Sequence, residues 1–280
     1  MDVQITGQRI FALGERIPVD EIRQKAMDRR TTAFGGGIGG LLQRPKPDDV
    51  VLLASQRRVE PFWHVSCQAR YVYDRTRDYS IAASAQDVQG VTIGEQELAV
   101  GVGKSGRVFS LSVVEHCREE FVDELWVEGV SGTPMTDGPA IIGGGGAEVA
   151  EPAALAADAT VVVAPEQRAS SVVRQLLAKM LRPLQADVVT EEALHIERLE
   201  LFYRPIWAFE FHWTTKDKRG VVEVDGLTGQ SSQATSLVTQ LTRAVTREAL
   251  FDIGADTIGL LVPGGSIAVK VARVALDKSY

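Results

Sequence analysis

The chain is poor in several features that would narrow its chemistry at once. Two cysteines, Cys67 and Cys117, in 280 residues are too few for the disulfide framework of a small secreted domain. The longest apolar run near the C-terminus, Thr257–Val269, is bounded by Asp256 and Lys270. It falls short of the roughly 20 residues a membrane-spanning helix needs. Basic residues are not in excess: Lys and Arg total 30 against 37 Asp and Glu, for a net charge of −7. A general nucleic-acid binder normally presents a basic face, so this balance argues against one. The first residues, MDVQITGQRIFALGER, lack the basic segment and apolar core of a secretory signal. A cytoplasmic location is the expectation.

What the chain does have is internal likeness. LFYRPIWAFEFHW at Leu201–Trp213 resembles RVEPFWHVSCQARY at Arg58–Tyr71. RPKPDDVV (Arg44–Val51) precedes the first stretch and RPLQADVV (Arg182–Val189) the second. Each is preceded by a helical pattern, PVDEIRQKAMDRR and PEQRASSVVRQLLAKML, and each of those by a β-like run, QRIFAL and ATVVVAP. WVEGVSG (Trp126–Gly132) lines up with EVDGLTG (Glu223–Gly229), a strand-then-turn signal because glycine supplies the positive φ of a tight turn. Period-2 alternation sets Trp207, Phe209, Phe211 and Trp213 on one strand face. It likewise sets Trp63, Val65, Cys67 and Ala69 opposite His64, Ser66, Gln68 and Arg70. The apolar face of each strand is expected to pack on the helix of its own unit.

These signals predict an α+β chain of two divergent units, each a helix plus an antiparallel sheet. The first spans 1–132 with a β-rich insertion at 74–120. A Gly/Ala/Pro-rich linker follows at 133–158, then a second unit at 159–231 and a helical C-terminal segment at 232–280. A helix followed by antiparallel strands that close on VDGLTG resembles the PepSY domain family and the wider cystatin-like class, best over Ala159–Gln230 and more loosely over Arg9–Gly132. The resemblance implies a small non-catalytic module that binds or restrains a partner. It carries over no catalytic residues.

Three stretches invite a chemical reading. GVGKSGR places Gly101, Gly103 and Gly106 in a Gly-x-Gly-x-x-Gly pattern, but the position a phosphate-binding loop would need as glycine is Leu98. A β-rich run follows where a nucleotide site needs a helix, so a hairpin turn is the first expectation and a nucleotide loop the second. His64, Cys67, His116 and Cys117 are zinc-ligand types that two neighbouring strands could bring together. Residues three apart on a flat strand face opposite sides, though, so a half-buried thiol pair with hydrogen-bonded histidines competes with a metal site. RYVYDRTRDY (Arg70–Tyr79) interleaves Arg with Tyr as single-strand binders do, or as a solvated hairpin does. Finally, the glycine-rich apolar stretches around Phe34, Ile38 and Leu41, and around Leu260, Leu261 and Ile267, read as contact surfaces for a partner or membrane, or as buried loops.

With no carboxylate pair, triad or phosphate loop in order, the expected function is a non-enzymatic binding or assembly module. It would act through sheet surfaces and the C-terminal helices on a protein partner or on a second copy and need no cofactor. The alternatives are a zinc protein or enzyme built on the His/Cys group and a nucleotide binder at Gly101–Gly106.

Overall fold

Long alternating runs dominate the chain, and in the computed structural model they make one mixed sheet. The structure describes residues 1–5, 7–34, 45–104, 106–234, 246–253 and 268–271. In chain order the strands are β1 (Asp2–Ile5), β2 (Gln8–Ala12), β3 (Val50–Ala82), β4 (Gly90–Ile93), β5 (Gln96–Ala99), β6 (Gly101–Gly103) and β7 (Gly106–Glu128). They continue with β8 (Ala147–Glu148), β9 (Val161–Val162), β10 (Val188–Trp213), β11 (Lys218–Asp225), β12 (Ser231–Ala234) and β13 (Ala268–Val271). The helices among the described residues are α1 (Val19–Asp28), α2 (Gly138–Ile142), α3 (Ala169–Met180) and α4 (Arg247–Leu250). Eleven strands join one sheet whose spine runs β12-β11-β10-β3-β7-β6, and β4 and β5 form a separate hairpin.

β3 and β10, of 33 and 26 residues, lie antiparallel along the whole of β10, from Val188 opposite Asp74 to Trp213 opposite Val50. The far edge of β10 is shared in turn by β1 and β2, both parallel, and by β11, antiparallel. β7 follows β3 antiparallel from Glu128 opposite Phe62 to Val108 opposite Ala82.

This architecture corrects the expected fold class. The molecule is mostly β, with a few short helices, and the two predicted helix-plus-sheet units are not separate bodies. Their central strands are neighbours in one sheet, and the smaller elements change sides. β2, from the first half, pairs with β10, while β9, from the second, pairs with β3. α3 buries Val172, Val173, Leu176 and Leu177 in one core with Trp63, Val65, Cys67 and Ala69 of β3. α1 buries Ile22 and Ala26 with Phe209, Phe211, Val222 and Val224 of β10 and β11. Each apolar face therefore packs on the helix of the other half, because a helix can bury its stripe only on a sheet face within reach of its connections. The architecture implied by the PepSY and cystatin-like resemblance is absent with it.

Positions set in correspondence by sequence make matching bonds all the same. Gly129 N–H donates to Pro61 O at 2.8 Å and Gly226 N–H to Pro205 O at 2.9 Å. Glu166 and Gln167 N–H both donate to Gly129 O, as Arg16 and Ile17 N–H do to Gly226 O.

Two further expectations change. Residues 133–158 are not a bare linker: Pro134 bridges to Val127, α2 buries Gly138 and Ile141, and β8 pairs with β2. The C-terminal segment contains strands where helix was expected, with Ser231–Ala234 on β11 and Ala268–Val271 on β1. α4 is a single turn whose N-terminus is capped by the Thr246 hydroxyl accepting from Ala249 N–H.

Candidate functional site

Direct cross-strand neighbours on one sheet face stand side by side, and one such row crosses four strands. Arg9 of β2 lies opposite Glu200 of β10, Glu200 opposite His64 of β3, and His64 opposite Trp126 of β7. The row lies on the sheet face opposite the one carrying α1 and α3, as parity requires: His64 alternates with Trp63 and Val65, whose side chains enter the α3 core.

The contacts follow the row. Arg9 Nη2 meets Glu200 Oε1 at 2.5 Å. Glu200 Oε2 lies 3.0 Å from His64 Nδ1, and Glu124 Oε2 lies 3.2 Å from His64 Nε2. The imidazole stacks on the Trp126 indole with ring centroids 3.7 Å apart and planes inclined by 8°. His64 is 1% exposed and Glu200 5%, whereas Glu124 is 51% exposed. Burial by itself would raise the Glu200 carboxyl, but the hydrogen bond to His64 and the Arg9 charge outweigh it, and its pKa lies below the ordinary value.

Next to this row the sheet carries an aromatic cluster of Phe62, Phe202 and Trp126 with Leu13, Ile141 and Leu227. Phe62 and Phe202 stack at 5.2 Å, and Phe11 stacks on Phe202 at 5.0 Å. α2 lies over it, held by the Arg16 guanidinium donating to Ala140 O and Ile141 O.

The predicted metal group is not assembled. His64 faces Trp126, whereas His116 faces Asp74, and Trp126 and His116 are ten residues apart along β7, about 33 Å of extended strand. Cys67 is buried beneath α3 on the other face, where burial pushes its thiol up to about 12. Cys117 pairs in register with Tyr73, and His116 is largely exposed and bonded to Asp74 at 2.7 Å. Among the described residues no group of three or more His, Cys, Asp or Glu could hold a metal ion. Gly101, Gly103 and Gly106 form the hairpin between β6 and β7, with Gly103 opposite Gly106 and a strand following rather than a helix. Phe34 is half-buried and packs edge-on against Trp213 at 5.7 Å. Ile38, Leu41, Leu260, Leu261 and Ile267 lie outside the described residues.

RYVYDRTRDY begins a second feature. Past Asp74 opposite Val188, where β10 begins, β3 and β7 run on together as a ribbon, Arg75–Ala82 against Val108–Glu115, two-stranded until β6 joins at Val108. It projects about 26 Å at the rise of a β-strand and carries the β4–β5 hairpin beyond it. Its Arg and Tyr residues pair across the two strands: Arg75 Nε meets Glu115 Oε2 at 2.6 Å and the Tyr79 hydroxyl also donates to Glu115.

Sequence reasoning singled out His64 but not Arg9, Glu124 or Glu200. These are ordinary charges in alternating strands, and only the pairing register sets them in a row. The one available signal was a carboxylate two residues from Phe202 on the same strand face.

Among the described residues no helix is long and apolar enough to cross a membrane. Comparison with protein-family models, curated proteins and solved structures finds no match to the chain.

Proposed function

We propose that the chain is a binding and assembly module, and that its contact element is the β3–β7 ribbon. The observation that supports this is the length of the ribbon, Arg75–Ile81 against Phe109–Glu115, that no third strand flanks among the described residues, β6 joining β7 only from Val108 at the tip. A lone two-stranded ribbon is marginal in water, and this one keeps Tyr79 47%, Ile81 36% and Val114 55% exposed. Apolar side chains held out on a projecting arm gain burial only when something closes over them.

The test trims the ribbon by joining Thr76 to Val114, which are paired across it, through an Asn-Gly turn that suits a two-residue hairpin. The trimmed chain is expected to melt cooperatively and to lose the self-association or partner capture of the full chain in light scattering and pull-down. A full chain that is strictly monomeric and captures nothing overturns the proposal. So does a trimmed chain that keeps every association.

A further inference from the structure

His64 poses a donor-counting problem. An ionised carboxylate only accepts hydrogen bonds, and a neutral imidazole carries one N–H. Yet Glu200 Oε2 stands 3.0 Å from Nδ1 and Glu124 Oε2 3.2 Å from Nε2. A neutral ring would satisfy one carboxylate and turn a lone pair toward the other, inside a site where His64 is 1% exposed. The doubly protonated ring satisfies both, and its charge fits the surroundings. The charged groups facing it are Arg9 from β2, Glu200 from β10 and Glu124 from β7. Arg198 of β10 lies on the same face one rung away, opposite Ser66. α2 brings Gly138 against Trp126 and carries no charge. An imidazolium balances two carboxylates and one guanidinium, and the Trp126 face it stacks on favours a cation.

The sheet does not need a histidine here. The matching rung in the other half of the sheet is Gln56–Ala208–Glu223, and that half closes without an imidazole.

We propose that His64 is a proton-held latch: doubly protonated, it ties Glu124 of β7 to Glu200 of β10 and Arg9 of β2, and loss of one ring proton as pH rises releases Glu124. The proton leaves to solvent past the half-exposed Glu124, whose carboxylate then swings outward. β7 runs on from the latch to become one side of the ribbon, whose base at Glu115 lies nine residues from Glu124 along the strand, about 30 Å. It operates whether or not the ribbon binds a partner.

The test is ring-nitrogen NMR on the full chain labelled at its four histidines, across a pH series spanning neutrality, with His64→Gln assigning the resonance. Two protonated ring nitrogens on His64 are expected at neutral pH, one being lost on raising the pH together with a change in tryptophan fluorescence. Glu124→Gln keeps the fold and supplies an amide donor to Nε2. In it His64 is expected as a single neutral tautomer at the pH where the parent is still doubly protonated. A parent His64 with one N–H at neutral pH overturns the latch, as does a Glu124→Gln variant whose His64 titrates as in the parent.

Discussion

At the residue scale, burial and neighbours decide behaviour that residue type alone leaves open. Cys67 and Cys117 look alike in sequence, but burial beneath α3 pushes the Cys67 thiol up to about 12, where the reactive thiolate hardly forms. Cys117 is only partly buried. A thiol-specific reagent is expected to modify one cysteine in the native chain and two in denaturant, and Cys117→Ser should reduce the native count to none. Glu200 shows the same dependence on setting. Its folded pKa is depressed below the ordinary 4.5, so its contribution to stability is present above that value and lost as pH falls through the folded value. Urea unfolding compared at neutral pH and at a pH well below 4.5 should therefore differ less for Glu200→Gln than for the parent. Gly138 illustrates a steric limit: a Cβ there would lie 2.3 Å from the Trp126 ring, whose other face is occupied by His64. Gly138→Ala is expected to cost about 1–3 kcal/mol in urea unfolding, the range for overpacking. A cost near zero would mean that α2 lifts off without consequence.

At the element scale, much of the local structure was legible. The 3.6-residue stripe of α3 and the alternation of Trp207, Phe209, Phe211 and Trp213 are local facts of helix and strand geometry. They mark a helix and a strand, and both are present. What local pattern cannot specify is the partner of each face, because an apolar stripe packs equally well on any sheet of the right shape. The sequence pattern alone therefore points each helix to its own half, whereas α1 and α3 pack on the opposite ones. The histidine row was illegible for the same reason, since Arg9, Glu124 and Glu200 meet His64 only through the register of three strand pairs. The ribbon and the helix should also separate energetically. Leu176 of α3 is fully buried, and Leu176→Ala is expected to destabilise by about 2–5 kcal/mol. Val114 of the ribbon is 55% exposed, and Val114→Thr should stay within about 0.5 kcal/mol of the parent. A large loss for Val114→Thr would make the ribbon part of the scaffold rather than a contact element.

At the scale of the whole molecule, the exchange of elements between halves makes the fold a single cooperative body. β3 and β10 share a ladder along the full length of β10. β2 and β9 each close the sheet beside the long strand of the other half, and α1 and α3 cap it crosswise. Two independent units joined by a linker would come apart once the linker was cut, whereas halves that share a sheet and exchange their helices would not. The place to cut is Gly145: it is exposed, has φ of +70°, and an added Cβ there would meet nothing within 4 Å. A protease site inserted at Gly145 and cleaved in the folded protein should leave both fragments eluting together at the size of the intact chain. Denaturant should separate them in the same single transition that unfolds the sheet. Fragments that part under native conditions, each with its own melting transition, would restore the two-unit architecture and remove the physical basis for the crosswise packing.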